Sequence, residues 1–207
     1  MIDPGLIDMI MRMRGRGISD NAVLRAMELV ARKRFVDQKY WEVAYDEQSL
    51  PTSCGQTVSP PLTLALMTQM LELSPTHKLL EIGTGSGYHT AILSKIVKRV
   101  YSVERYKQLI REAEARFKEL GVTNHVIRHG DGRYGWAGQA PFDRILLTCA
   151  LRAEPAMLID QLAAGGKLVA VVDDQLTRYS KARKKVTVET LFPLTVPMIE
   201  AGKSKAL

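Results

Sequence analysis

The segment Leu79–Leu93, LLEIGTGSGYHTAIL, sets the tightest limit on what this chain can become. It reads as a buried strand carrying Glu81 near its end, then a loop of Gly83, Thr84, Gly85, Ser86 and Gly87, then a helix entered through Tyr88 and His89. Glycines let the backbone turn tightly and let a ligand come close, and the start of the helix offers free N–H groups. A nucleotide-like ligand suits such a loop. The spacing is GxGxG rather than the GxGxxG of dinucleotide sites. With no lysine inside the loop and no Gly-Lys-Ser/Thr after it, a phosphate-cradling role fits less well.

The surrounding chain extends the same pattern. Short apolar runs at 78–82, 99–104, 125–128, 142–148 and 166–172 alternate with amphipathic stretches at 88–97, 106–120 and 154–162. That alternation predicts an α/β, Rossmann-like fold: a mostly parallel central sheet with helices on both faces. The tail at 185–192 is expected to add edge strands. Upstream, residues 3–34 carry helical spacing, and Ser19 with Asp20 signals a helix start. Residues 35–58 read as loop. Ser59 before Pro60-Pro61 reads as the N-cap of a helix running to about Leu73. A chain of 207 residues that is 46% hydrophobic suits one domain, 1–207, with a helical part at 1–75 and a sheet-bearing core at 76–207.

Composition narrows the functional classes. No run approaches the roughly 18–20 apolar residues of a membrane span, and the start Met1-Ile2-Asp3-Pro4 lacks signal-peptide order, so a cytoplasmic protein without membrane contact is expected. Cys54 and Cys149 lie far apart and outside any CxxC pattern; they are expected as free thiols, with no metal site. The net charge of +7 is scattered over Arg12, Arg14 and Arg16, Arg32 to Arg34, and Lys181 to Lys185. Without interleaved aromatics these read as solvated surface rather than a nucleic-acid patch.

Two more acids extend the binding site. Glu104 closes the second strand, where a Rossmann-like sheet places a carboxylate to accept from ribose hydroxyls. Asp131, in Gly130-Asp131-Gly132 after the third strand, is placed to accept from an adenine amino group, with Gly132 leaving room for the base.

Glu81 with Gly83-Thr84-Gly85-Ser86-Gly87 resembles motif I of the class I methyltransferases, which bind S-adenosyl-L-methionine and release S-adenosyl-L-homocysteine. Ser59-Pro60-Pro61-Leu62 partly mimics the Asp/Asn/Ser-Pro-Pro-aromatic motif of amine and adenine methyltransferases. Leu62, however, supplies no aromatic face for a flipped base. A wider match runs from about residue 20 to 172: AYDEQSLPTSCGQTVSPPLTLALM, VYSVE, GDGRYGWAGQAPFD and QLAAGGKLV resemble the protein-L-isoaspartate O-methyltransferases in order and spacing. That resemblance implies methylation of the free carboxylate of isoaspartyl residues in damaged proteins or peptides, which starts their repair. By resemblance, Ser59 is the active-site serine, Thr57 its neighbouring hydroxyl, and Tyr88 and His89 join the cofactor set. The chain departs from the family pattern at Thr52-Ser53, where Ile-Gly is usual, at Pro60-Pro61-Leu62, and at Phe35-Val36-Asp37. These departures leave three alternatives: a related peptide aspartate carboxyl methyltransferase, a non-catalytic cofactor-binding module, and a nucleic-acid methyltransferase.

Overall fold

The structure, a computed structural model, describes residues 3–183 and 185–204. Met1, Ile2 and Lys184, which entered the readings of the N-terminus and the basic run, lie outside them, as do residues 205–207. Two helices open the chain, α1 (Pro4–Gly15) and α2 (Asn21–Leu29). Their starts are fixed by short acids: Asp3 accepts from Gly5 N, and Asp20 from Ala22 N and Val23 N. The stretch expected as loop contains 3-10 turns and a small antiparallel ribbon of β1 (Leu50–Pro51) and β2 (Thr57–Val58). Helix α3 (Pro61–Met70) follows.

The core then alternates: β3 (Lys78–Ile82), α4 (Tyr88–Ser94), β4 (Arg99–Glu104), α5 (Lys107–Leu120), β5 (His125–His129), β6 (Phe142–Leu151), α6 (Ala156–Ile159), β7 (Leu162–Val172), β8 (Gln175–Ala182) and β9 (Lys185–Pro193). The sheet order is β5-β4-β3-β6-β7-β8-β9. It is parallel from β5 through β7, and β8 and β9 add antiparallel at one edge. The chain builds outward from β3 in one direction and resumes on its other side with β6. Such a reversal opens a crevice at the C-terminal ends of the central strands.

Alternation along the strands sorts the core into two faces. Leu79, Val100, Leu146 and Val169 pack with α1, α2, α3, α4 and α5. Leu80, Ile82, Val103, Ile145 and Leu168 pack with α6. The N-terminal helices therefore bury their apolar stripe on the face that also carries α4.

One expected helix shrinks. Only α6 forms within 154–162, because Phe142 N donates to Gln161 O and Leu162 pairs with Phe142, which draws this end into the sheet. Among the described residues, no helix is long and apolar enough to cross a membrane.

Candidate active site

The glycine loop lies at the crevice that the sheet topology opens. Gly83 has φ +96°, and a Cβ there would stand 2.3 Å from Thr148 Oγ1, itself donating to the Ile82 and Gly83 carbonyls. Gly87 has φ +88°, and its missing side chain makes room for Phe117 of α5. Both positions need glycine for conformation and for space. Glu104 ties the loop to the next turn: Oε2 accepts from Gly85 N at 2.9 Å, and Oε1 accepts from Arg105 N and Tyr106 N. Its carboxylate lines the cleft with lone pairs left for ribose hydroxyls.

Glu81 takes a different place from the one expected. It is fully buried beneath the loop and absent from the cleft lining. Its Oε2 accepts from Thr90 Oγ1 at 2.5 Å and Ser102 Oγ at 2.7 Å, and Ser102 in turn meets Thr84 Oγ1 at 2.6 Å. Burial pushes its carboxyl up to about 8, against the pull of those two hydroxyls. Glu81 thus braces the loop from below, largely protonated at neutral pH. His89 lines the cleft, bonds Thr68 Oγ1 at 2.8 Å, and is held neutral by burial, which pulls it down to about 3. Tyr88 lines the cleft too, its ring packed at a tilt against Phe35.

The opposite wall is the segment Gln56–Ser59. Ser59 is not the N-cap of α3. That place belongs to Pro60, which cannot donate, and Leu62 N is instead taken by the Glu47 carboxylate at 3.0 and 3.2 Å. The helix start therefore offers little to an acceptor carboxylate, since Pro60 and Pro61 carry no N–H and Glu47 fills the next. The Ser59 hydroxyl, relieved of capping, has no hydrogen-bond partner among the described residues. Thr57 lines the cleft beside it.

Arg32 holds this wall. It is completely buried rather than part of a solvated basic surface, and its guanidinium donates to the carbonyls of Ala44, Asp46, Gln48, Val58 and Ser59 at 2.7–3.3 Å. The planar fork gathers two strands of loop that are 12 to 27 residues away in sequence. A sequence reading that weighs charge runs as surface has no means to find it.

The third wall also went unread. Pro197, Met198, Ile199 and Glu200 line the cleft. This segment pairs with the far end of β6: Ala150 N donates to Pro197 O at 2.8 Å and Ile199 N to Ala150 O at 2.9 Å. Arg105 pairs with Glu200 and donates to the Ala201 and Gly202 carbonyls. Asp131 belongs to this strap: it accepts from Arg133 and from Gly202 N at 2.7 Å, outside the cleft lining, while Gly132 stays within it. The Arg133 pairing leads the causes that pull its carboxyl down to about 2. Together the three walls line one open cleft at the C-terminal ends of the central strands.

A Rossmann-like sheet with a glycine loop at its switch point, an acid closing β4 and a hydroxyl wall facing them forms a cleft suited to a nucleoside-bearing cofactor. The family model described as protein-L-isoaspartate(D-aspartate) O-methyltransferase matches residues 7–199, and the chain belongs to that family. It is 46% identical to the protein-L-isoaspartate O-methyltransferase of Maricaulis maris, over 99% of this chain and 98% of that one. It is also 46% identical to the enzyme of that name from Rhodospirillum rubrum, over 94% and 92%. Among solved structures, it resembles one described as protein-L-isoaspartate O-methyltransferase with a TM-score of 0.83 at 22% identity, covering 95% of this chain and 66% of that one. A Plasmodium falciparum chain described under the same enzyme name, solved in complex with S-adenosyl-L-homocysteine, matches with a TM-score of 0.79 at 23% identity, over 93% and 97%.

Proposed function

We propose that this protein methylates the free carboxylate of L-isoaspartyl residues in damaged peptides and proteins, and that Ser59, with Thr57 beside it, positions the acceptor. The observation that carries the positioning role is the Ser59 hydroxyl, freed from helix capping, on a residue whose backbone carbonyl Arg32 holds at the wall of the cleft that the glycine loop also lines.

S-adenosylmethionine, when bound, supplies an electrophilic methyl on a sulfonium. The acceptor carboxylate is already ionised near neutral pH, so a strong general base is unnecessary. What the protein must supply is alignment and charge placement. Ser59 Oγ donates to one carboxylate oxygen, leaving the other to form the new O–CH3 bond as the S–CH3 bond breaks. The Gly83–Gly87 loop, Glu104, Gly132 and the strap hold the cofactor's remaining parts. His89, kept neutral by burial, adds no positive charge to the cleft it lines. The ester then lets a neighbouring backbone nitrogen close a succinimide, the step on which repair depends.

The test uses methyl-labelled S-adenosylmethionine with matched peptides containing isoaspartate, aspartate or asparagine, and with RNA and DNA. Base-labile label confined to the isoaspartyl peptide is expected. Label in the aspartyl peptide would point to the related aspartate methyltransferase, and base-stable label in nucleic acid would overturn the carboxylate acceptor.

A further inference from the structure

The turn before the Gln56–Ser59 wall, which holds Ser53 and Cys54, does not hang free; it docks on α5. Ser53 Oγ donates to Glu112 Oε1 at 2.7 Å, and the same oxygen accepts from Gln108 Nε2 at 2.9 Å. Cys54 Sγ lies 3.8 Å from Gln108 Oε1. The other Glu112 oxygen stands 3.6 Å from Arg116 Nη2, and Arg116 Nη1 donates at 3.1 Å to the carbonyl of Ser86. Ser86 belongs to the glycine loop and to the cleft wall. Gln108, Glu112 and Arg116 recur every four residues, so they share one face of α5 and form an unbroken polar line.

Two further observations show that this contact shapes the loop. Glu112 and Arg116 keep only 28% and 25% of their side chains exposed, so their pairing is less screened than a surface pair. Burial alone would raise the Glu112 carboxyl, yet the Ser53 and Gln108 hydrogen bonds and the Arg116 charge outweigh it and hold it below its usual range. Cys54 adopts φ +60°, a left-handed conformation that a non-glycine residue keeps when its surroundings impose it.

We propose that Ser53, Glu112 and Arg116 are positioning residues that couple the acceptor loop to the cofactor loop, so that peptide and cofactor each bind more tightly when the other is present. The proposal rests on Gln56–Ser59 being the acceptor wall. A cofactor settled on the glycine loop fixes the Ser86 carbonyl, which orients Arg116, then Glu112, then Ser53. A peptide that needs the docked loop draws on the same line from its other end. Linkage makes the two enhancements equal.

The experiment measures, by calorimetry, isoaspartyl-peptide affinity with and without saturating S-adenosylhomocysteine, and S-adenosylhomocysteine affinity with and without peptide. Steady-state kinetics accompany it, for the wild type and for Ser53→Ala, Ser53→Thr and Glu112→Gln. The wild type should show reciprocal coupling of about fivefold or more. Ser53→Ala and Glu112→Gln should bring it close to unity and raise the peptide KM several-fold, while S-adenosylhomocysteine affinity in the absence of peptide and kcat at saturating peptide stay within about twofold. Ser53→Thr, which keeps the hydroxyl, should restore the coupling. Active variants with wild-type coupling and KM would overturn the relay, as would an active wild type with no coupling. Failure of Ser53→Thr to restore coupling would overturn the role of the hydroxyl. Failure of the acceptor-wall assignment is distinguishable: the wild type would then still transfer methyl to the peptide, but Ser59→Ala would leave that turnover undiminished, whatever the coupling.

Discussion

The two facing walls of the cleft are built on opposite principles. The cofactor wall is assembled from neighbours in sequence: Gly83 to Gly87 follow β3 directly, and Glu104 and Ser102 sit on the adjoining strand. Its parts are buried and cross-bonded, with Glu81, Ser102, Thr84 and Thr90 forming one network beneath the loop. The acceptor wall has little regular structure of its own. It is held from outside by Arg32, by Glu47 and by Ser53 reaching Glu112, across 15 to 59 residues of chain. A local motif can fix a cofactor loop whatever the acceptor, whereas a wall pinned by a few distant side chains can change its substrate by changing its pins.

The largest effect should come from the local wall. Gly83→Ala places a Cβ against Thr148 Oγ1 at a backbone conformation that L residues rarely adopt. Strain and overpacking together should weaken S-adenosylhomocysteine binding by about 100-fold or more in calorimetry. Binding within threefold of wild type would show that the loop is not fixed by its glycines.

Next comes the pin that joins most of the other wall. Arg32→Lys keeps the charge but cannot serve five carbonyls, so buried acceptors lose their donors. Urea unfolding should show a loss of about 3 kcal/mol. In the folded variant, peptide kcat/KM should drop about tenfold or more while cofactor affinity changes little. An equal loss of both would erase the proposed contrast between the walls.

Glu81 separates the walls by pH. Its folded-state pKa, about 8, lies above the usual carboxyl value, so the stability it contributes is complete below about pH 4.5 and is lost as pH rises through about 8. Subtracting the urea stability of Glu81→Gln from that of the wild type across pH 5–8 should give a difference that falls with pH. The slope should be at most about 1.4 kcal/mol per pH unit. A flat difference would mean that the carboxyl beneath the loop is already ionised.

The smallest effect belongs to the helix that carries the acceptor wall. Glu47→Ala removes the carboxylate on Leu62 N and should cost about 1 kcal/mol, read in urea unfolding. No change would mean that Glu47 does not hold the start of α3.

The same contrast explains what could be read from the sequence. The alternation of runs predicted the parallel sheet and its edge strands, and the glycine spacing with Glu104 marked a loop that lines the cleft, because these depend on neighbours a few residues apart. Ser59 and Thr57 were found through family resemblance, and they do line the cleft. Arg32 escaped because a buried cation and a surface cation look alike in sequence. The strap at Pro197–Glu200 escaped because an irregular segment acquires its place by pairing with Ala150, 47 residues earlier from Pro197. For Asp131 the motif points to the base, whereas its bonds to Arg133 and to Gly202 N, 71 residues on, come from the folded chain.

The central claim, that one wall holds the cofactor and the other positions a carboxylate through Ser59, is tested most directly by Ser59→Ala. Turnover of the isoaspartyl peptide at saturating S-adenosylmethionine should fall by about 10- to 100-fold, with S-adenosylhomocysteine affinity within threefold of wild type. Undiminished turnover, or a loss that resides in cofactor affinity instead, would contradict it.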